Sequence, residues 1–400
     1  MVVNLFGHAN PFISEAVKGQ LDVLEHTMLA GCTHAPAVEL AERLAALTGD
    51  VLGHAFYASD GASAVEIALK MSFHYWRNSG RPQKKGFICL RQSYHGETIG
   101  ALSVTDVALF RDAYAPLLMR SHNVMSPDAR VASNGQTAGD VASVAIGDLK
   151  ALLMQCSDEI AAVIVEPMIQ CAAGMAMYDA SYLRELRALC DHYGVHLIAD
   201  EIAVGCGRTG RFFAFEHAMT SRAANEWPDF ICLSKGITGG YLPLSVVLSR
   251  DAIYERFLDD DVSRGFLHSH SYTGNPLACR AALATLDLFE RDDVLARNQV
   301  RARWLGEAFS SFAADSRVLH IRQLGMIRAC DVQADLASKQ FAERFHMAAR
   351  EQELLLRPIG NTLYVMPPFV FDEAQAEWLG ERVRNTLDTV LGRKEVAYAA

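Results

Sequence analysis

Several chemically capable side chains stand at or just beyond the ends of short apolar runs. AAVIV (161–165) is followed by Glu166, VHLIA (195–199) by Asp200 and Glu201, and DFICLS (229–234) by Lys235. GFICL (86–90) leads within a few residues to Tyr94, His95 and Gly96. Ligands of open α/β sheets bind outside the carboxyl ends of the strands. If these runs are strands of one sheet, two acids, a lysine and an aromatic ring converge on one rim. Any one of them alone would be ordinary, because strand ends meet water and carry charge.

Lys235 lies in SKGITGG (234–240), among small and apolar neighbours. Desolvation lowers a lysine pKa and frees the amine for Schiff-base chemistry. A buried aspartate, as expected for Asp200, is what a pyridinium nitrogen needs to stay protonated. The pair points to pyridoxal phosphate, with the lysine as covalent partner and the aspartate tuning the ring. A phosphate cradle is then required. SDGASAVEIALK (59–70) turns at Asp60, Gly61 and Ala62 into a helix, whose free backbone N–H groups suit an anion.

The elements that must hold these residues read as α/β. The apolar runs, with LSVVLS (244–249), are short and rich in Val, Ile and Phe, as strands buried on both faces should be. Helical patterns lie between them. HAPAVELAERLAAL (34–47) has Leu40, Leu44 and Leu47 on one face and Pro36 in its first turn; SAVEIALKMSFHYW (63–76) and SYLRELRALCDHY (181–193) read alike. The alternation predicts a mostly parallel sheet. SPDARVASNGQTAGD (126–140) and HAMTSRAANEWP (217–228) read as loops. From about residue 285 long helical segments flank LGMIRACDV and TLYVMPPFV, predicting a smaller α+β domain. The expected division is an N-terminal segment 1–20, a large domain 21–285 and a small domain 286–400, as the 400-residue length suggests.

Composition narrows the partners. The chain has 37 basic and 47 acidic residues, a net charge of −10, and no basic cluster, so neither nucleic acid nor a membrane surface is the expected partner. No apolar run approaches a membrane span, and the N-terminus does not read as a secretory signal. Nine cysteines without a C-x-x-C pair read as reduced thiols in a cytoplasmic protein. No metal site is expected: His268 and His270, and His192 and His196, lack a partner at ligand spacing.

GCGRTG (205–210) matches the dinucleotide fingerprint G-x-G-x-x-G and is the rival enzyme reading. Against it, five residues separate the strand from the first glycine, and the aromatic run RFFAFEHA follows where a helix should open.

Asp200-Glu201-Ile202, then Gly205-x-Gly207-Arg208-Thr209-Gly210, then Lys235 in SKGITGG resemble the signature of class III pyridoxal-phosphate aminotransferases of fold type I. The resemblance covers nearly the whole chain. It implies the PLP-dependent transferase fold, a large domain with a mostly parallel central sheet plus a small α+β C-terminal domain. It assigns Lys235 to the covalent link and the proton shift, Asp200 to the pyridine nitrogen, and Ile202 and Tyr94 to the two ring faces. Gly61 and Ala62 would bind phosphate, and Gln170 would approach the ring's phenolic oxygen. Ser271, with His270 and Ser269 before it, would reach the site from a partner subunit, so a homodimer with shared active sites is implied. Arg357 would clamp a substrate carboxylate, where a guanidinium fork suits. Tyr364 and Arg208 would line the substrate pocket. GCTHAPAVEL (31–40), YHGET (94–98), VEPMIQCAAGM (165–175), SYTGNPLA (271–278) and LRPIGNTLYVMPP (356–368) are similar to the branch that serves biotin synthesis. That branch implies S-adenosylmethionine as amino donor, 8-amino-7-oxononanoate as acceptor, and ping-pong kinetics.

The chain departs from the pattern in places. Ala62 stands where Ser or Thr is usual, Ser271 stands for Thr, and the loop before Trp227 is long. The family pattern also places several tens of residues, including an aromatic pair, ahead of VNLFGHANP, where Met1 and Val2 stand here. They help floor the substrate pocket, so cofactor binding is expected to survive better than donor affinity. Two alternatives remain at this point: another class III transaminase acting on an ω-amino acid or diamine, and a cofactor-binding scaffold without turnover.

Overall fold

The computed structural model of the protein describes residues 3–392. Its centre is a seven-stranded sheet. In chain order the strands are β1 (His54–Ala58), β2 (Gly86–Leu90), β3 (His122–Val124) and β4 (Ile160–Val165), a short hairpin β5 (Ile169–Gln170) and β6 (Ala176–Met177), then β7 (His196–Asp200), β8 (Phe230–Leu233) and β9 (Ser245–Ser249). The sheet order is β1-β9-β8-β7-β4-β2-β3. Neighbours from β8 to β3 pair in parallel, and β9 runs against both β8 and β1. The sheet is thus mostly parallel, with one reversed strand. The β4, β7, β8 and β9 residues are all buried, which explains their unbroken apolar runs.

One face of the sheet is covered by the helix Gly61–Asn78, whose Val65, Ile67, Ala68 and Leu69 pack with Ile164, Ile198 and Phe230. The other face joins a larger cluster reaching from Leu5 to Val390. The predicted helices form with identifiable ends. His34 caps Ala35–Leu47, accepting from Ala37 N at 3.2 Å, and Pro36 sits in its first turn. Ser181–Tyr193 stops at Gly194, whose φ of +59° suits a helix C-cap.

The C-terminal part forms an antiparallel sheet of β10 (Val318–Leu324), β11 (Ile327–Val332) and β12 (Thr362–Val365), with helices Val294–Ala308, Phe341–Glu351 and Glu373–Leu391. The long helical segment expected after 285 is two helices, because Asp293 takes a φ of +44° between them. The helix Pro276–Arg291 runs through residue 285, and the helix Pro11–Leu21 of the N-terminal segment packs against it. Within 126–140 the reading as loop holds only in part: Ala129–Val131 is a 3₁₀ turn, and a helix begins at Ala138 through a capping box between Thr137 and Asp140. The 217–228 segment is irregular apart from short 3₁₀ turns.

Candidate active site

The parallel strands β8, β7, β4 and β2 lie side by side, so their carboxyl ends form one rim. Lys235, Asp200, Glu166 and Tyr94 all face one cavity there, of about 500 Å³. Gly61, Ala62 and Ile202 line it too, and Ile359 and Tyr364 close it from the C-terminal sheet. The structure thus brings Lys235, Asp200, Tyr94, Gly61, Ala62, Ile202 and Tyr364 together around one cavity.

Each side chain is held by its surroundings. Asp200 is 5% exposed; its Oδ2 accepts from His95 Nδ1 at 2.7 Å and its Oδ1 from Ile202 N at 3.1 Å. His95 is itself buried, and its Nε2 has no hydrogen-bond partner among the described residues. A carboxylate only accepts, so Nδ1 must carry the proton. Lys235 begins a 3₁₀ turn with a φ of +48°, a left-handed conformation that costs a non-glycine residue about 1–3 kcal/mol. The surrounding structure enforces it: Ser234 Oγ donates to Leu244 O at 2.9 Å, and a Cβ at Gly236 would meet Cys206 Cβ at 3.1 Å.

Glu166 joins the two flanks of the cavity. Its carboxylate accepts from Tyr94 N at 3.1 Å and from Cys171 N at 2.9 Å. Burial pushes its pKa up to about 7 despite those donors and His95. Glu201 lies behind the wall, accepting from Ala214 N and Phe215 N; burial pushes it up to about 8. Tyr94 donates to Glu97 Oε1 at 2.9 Å, and its phenol is raised by burial and by that partner.

Asp60 caps the helix Gly61–Asn78, its carboxylate accepting from Ser63 N and Ser63 Oγ. The N–H groups of Gly61 and Ala62 precede any intrahelical partner and lie on the cavity wall. A Cβ at Gly61 would fall 2.9 Å from Ile202 Cγ2, so this cradle requires glycine. The donor set fits pyridoxal phosphate: an amine, a buried carboxylate held in register, and a helix N-terminus open to an anion.

The remaining expected residues are placed elsewhere. Gln170 does not line the cavity: both ends of its amide are taken, by Ser126 Oγ and by Arg91 O. Nor does Arg208, which is 2% exposed and stacked over Phe369, with Nη1 donating to Pro367 O and Nη2 to Asn4 O at 3.0 Å. It ties the N-terminal segment to the C-terminal sheet instead. Arg357 is exposed and does not line the cavity, but it is near enough to Tyr364 to act on its phenol electrostatically. Ser269, His270 and Ser271 lie away from the cavity of their own chain; Ser269 lines a separate surface depression with Leu29, Phe56 and Tyr57. The glycines of 205–210 form turns and open no dinucleotide helix; Gly205 N donates to Glu201 O, and Gly207 abuts Phe289. Sequence reasoning names His95 beside Tyr94 but gives it no role, because its partner Asp200 lies 105 residues away.

The profile of the class-III aminotransferases matches residues 1–387. The chain belongs to that family, whose members use pyridoxal phosphate. It is similar to the adenosylmethionine-8-amino-7-oxononanoate aminotransferase of Helicobacter pylori, 44% identical over 94% of this chain and 83% of the relative. The enzyme of the same name from Anoxybacillus flavithermus is 39% identical over 94% and 83% of the two chains. Among solved structures, that aminotransferase from Methanocaldococcus jannaschii matches with a TM-score of 0.89 at 32% identity, over 98% of this chain and 87% of its own. A PLP-bound amine transaminase from an uncultivated Pseudomonas species matches at 0.87 and 30%, over 96% and 88%.

Proposed function

We propose that this protein transfers the amino group of S-adenosylmethionine to 8-amino-7-oxononanoate, the transamination of biotin synthesis. The observation that carries this reading is similarity over 94–98% of the chain to relatives named for that reaction, at 33–44% identity. The cavity supplies the groups the reaction needs.

Bound there, pyridoxal phosphate supplies an electron sink for the carbon that loses its proton. Lys235 would hold the cofactor, and its Nζ would carry the proton that leaves the substrate carbon. Asp200, oriented by His95, would pair with the ring nitrogen. Gly61 and Ala62 would bind phosphate through backbone N–H groups, and Ile202 and Tyr94 would confine the ring. Arg357 would receive the carboxylate of the acceptor. Ping-pong kinetics follow from one site serving both half-reactions.

We read the active unit as a homodimer. Ser269, His270 and Ser271 do not line the cavity that holds Lys235 in their own chain, and the nearby surface exposes Met28, Leu267 and Tyr272. None of the nine cysteines is in a disulfide, which suits a cytoplasmic enzyme. Among the described residues no helix is long and apolar enough to cross a membrane.

A second reading is favoured by the likeness to amine transaminases: a class III enzyme acting on other amines. One assay separates them. The purified protein with pyridoxal phosphate is offered 8-amino-7-oxononanoate with adenosylmethionine, lysine, a diamine or an ω-amino acid, and 7,8-diaminononanoate is measured by mass spectrometry. Product with adenosylmethionine is expected. Product from none of the donors, with amine turnover on other acceptors, would replace the first reading with the second. Cofactor binding without any turnover would leave only the scaffold.

A further inference from the structure

Asp331 sits in β11, the middle strand of the C-terminal sheet, opposite Thr362 of β12. The residue is 6% exposed, and its carboxylate collects donors from β10, from β12 and from the turn Ala129–Val131. Thr362 Oγ1 and Arg322 Nη2 donate to Oδ1 at 2.7 and 2.8 Å. Arg130 Nη1 reaches Oδ2 at 3.4 Å, and His320 Nδ1 approaches the same oxygen at 3.1 Å. The two guanidinium groups then seize consecutive carbonyls of the loop between β5 and β6. Arg130 Nη2 donates to Ala173 O at 2.8 Å, Arg322 Nε to Met175 O at 2.9 Å, and both arginines reach Gly174 O. The approach is so close that a Cβ at Gly174 would lie 2.5 Å from Thr362 Oγ1.

Both ends of this network carry cavity wall. Cys171, Ala172 and Met175 line it from the β5–β6 side. Ile359 and Tyr364 line it from the β12 side, and Ile359 exchanges backbone hydrogen bonds with Thr362. Lys235, Asp200 and Gly61 stand on other elements and make no contact with Asp331. We propose that Asp331, acting through Arg130 and Arg322, is a positioning residue that fixes the gap between the two substrate-facing walls while leaving the cofactor site untouched. Burial opposes its charge, but Arg322, Thr362 and Arg130 hold its carboxyl below the usual range, so it stays ionised as the network requires.

This proposal rests on the transaminase reading above, and its test keeps the two separable. Asp331→Asn removes the charge at nearly constant volume. It is expected to raise KM for both donor and acceptor at least tenfold, while kcat and the cofactor dissociation constant, read from the visible absorbance, stay within threefold. Arg130→Gln, which cuts the link from the other side, is expected to raise KM in the same direction. Arg130 is also held by Asp128, at 2.7–3.0 Å, and keeps that pair when Asp331 is changed. The double variant is therefore expected to lose more than Asp331→Asn alone but less than the product of the two single losses, because residues of one network are not additive. If Asp331→Asn yields no soluble protein, Arg130→Gln carries the same test. KM values within twofold of the unaltered enzyme, or a loss confined to kcat or to cofactor binding, would overturn the proposal. Failure of the unaltered protein to transaminate would overturn the functional reading instead.

Discussion

The bond from His95 Nδ1 to Asp200 Oδ2 offers the sharpest test of how this cavity works. It is 2.7 Å long, and both side chains are almost wholly buried, so solvent cannot replace the donor if it is removed. His95→Leu replaces the imidazole with an apolar side chain of roughly similar size and deletes the donor. Asp200 Oδ2 then loses its only described side-chain partner, while Oδ1 keeps Ile202 N. A hydrogen bond to a charged group contributes about 1.5–3 kcal/mol. At about 1.4 kcal/mol per tenfold, the loss is roughly 10- to 150-fold. It should fall on cofactor affinity and on kcat together, because the same carboxylate orients the ring and protects its charge. Titration of apo-protein with pyridoxal phosphate, followed by visible absorbance, reads the first; steady-state transamination reads the second. His95→Asn places an amide N–H near the position of Nδ1 and should recover most of both. If His95→Leu binds cofactor and turns over within threefold of the unaltered protein, the histidine does not position Asp200, and the reasoning fails.

Gly61→Ala puts a methyl 2.9 Å from Ile202 Cγ2 and should cost about 1–3 kcal/mol of cofactor affinity; unchanged binding in the same titration would refute the cradle. Arg357→Ala should raise KM for the keto acid roughly 10- to 150-fold, the loss of a charge-assisted bond, with KM for the donor less affected; steady-state kinetics check this. Glu166 titrates near 7 in the fold, against about 4.5 unfolded. Its pKa is raised, so its contribution to stability is complete below about pH 4.5 and is lost as pH rises through 7. Glu166→Gln stays neutral and escapes that loss. Relative to the unaltered protein it should gain about 3 kcal/mol between pH 4.5 and 8, measured by urea unfolding at both pH values. A difference that does not change with pH would show that the fold does not raise the Glu166 carboxyl above its unfolded value.

The parts of the site that could be read from the chain are those where local pattern and position coincide. Lys235, Asp200 and Glu166 each end an apolar run, and parallel strands put such ends on one rim. Gly61 follows a capping aspartate and opens a helix, which is itself a local signal. What could not be read depends on distant partners. His95 meets Asp200 across 105 residues, and Asp331 meets Arg130 across 201. The edge strands β1 and β3 were not predicted because HAFYA is only partly buried and HNV is three residues long. The helix Ala138–Cys156 was obscured at its start by small and polar residues, although Thr137 and Asp140 form a capping box that the sequence displays.

The glycine-rich run after Asp200 shows why a family signature need not consist of residues that touch the ligand. Glu201 accepts the N–H groups of Ala214 and Phe215, and Gly205 closes against it, where a Cβ would lie 2.7 Å from Glu201 O. Gly207 abuts Phe289, and Gly325 of the C-terminal sheet abuts the backbone at Thr209, with a Cβ there 2.4 Å from its carbonyl carbon. Arg208 then reaches Asn4 O and Pro367 O, joining the N-terminal segment to the chain just after β12. Every one of these contacts needs either a missing Cβ or a long planar donor, which is what the run supplies. Its glycines let Glu201 and Phe289 pack directly against the run, and that packing, rather than any contact with a nucleotide, is what the spacing encodes. A bulky residue at Gly205 would press on Glu201, the neighbour of Asp200, and one at Gly207 would press on Phe289.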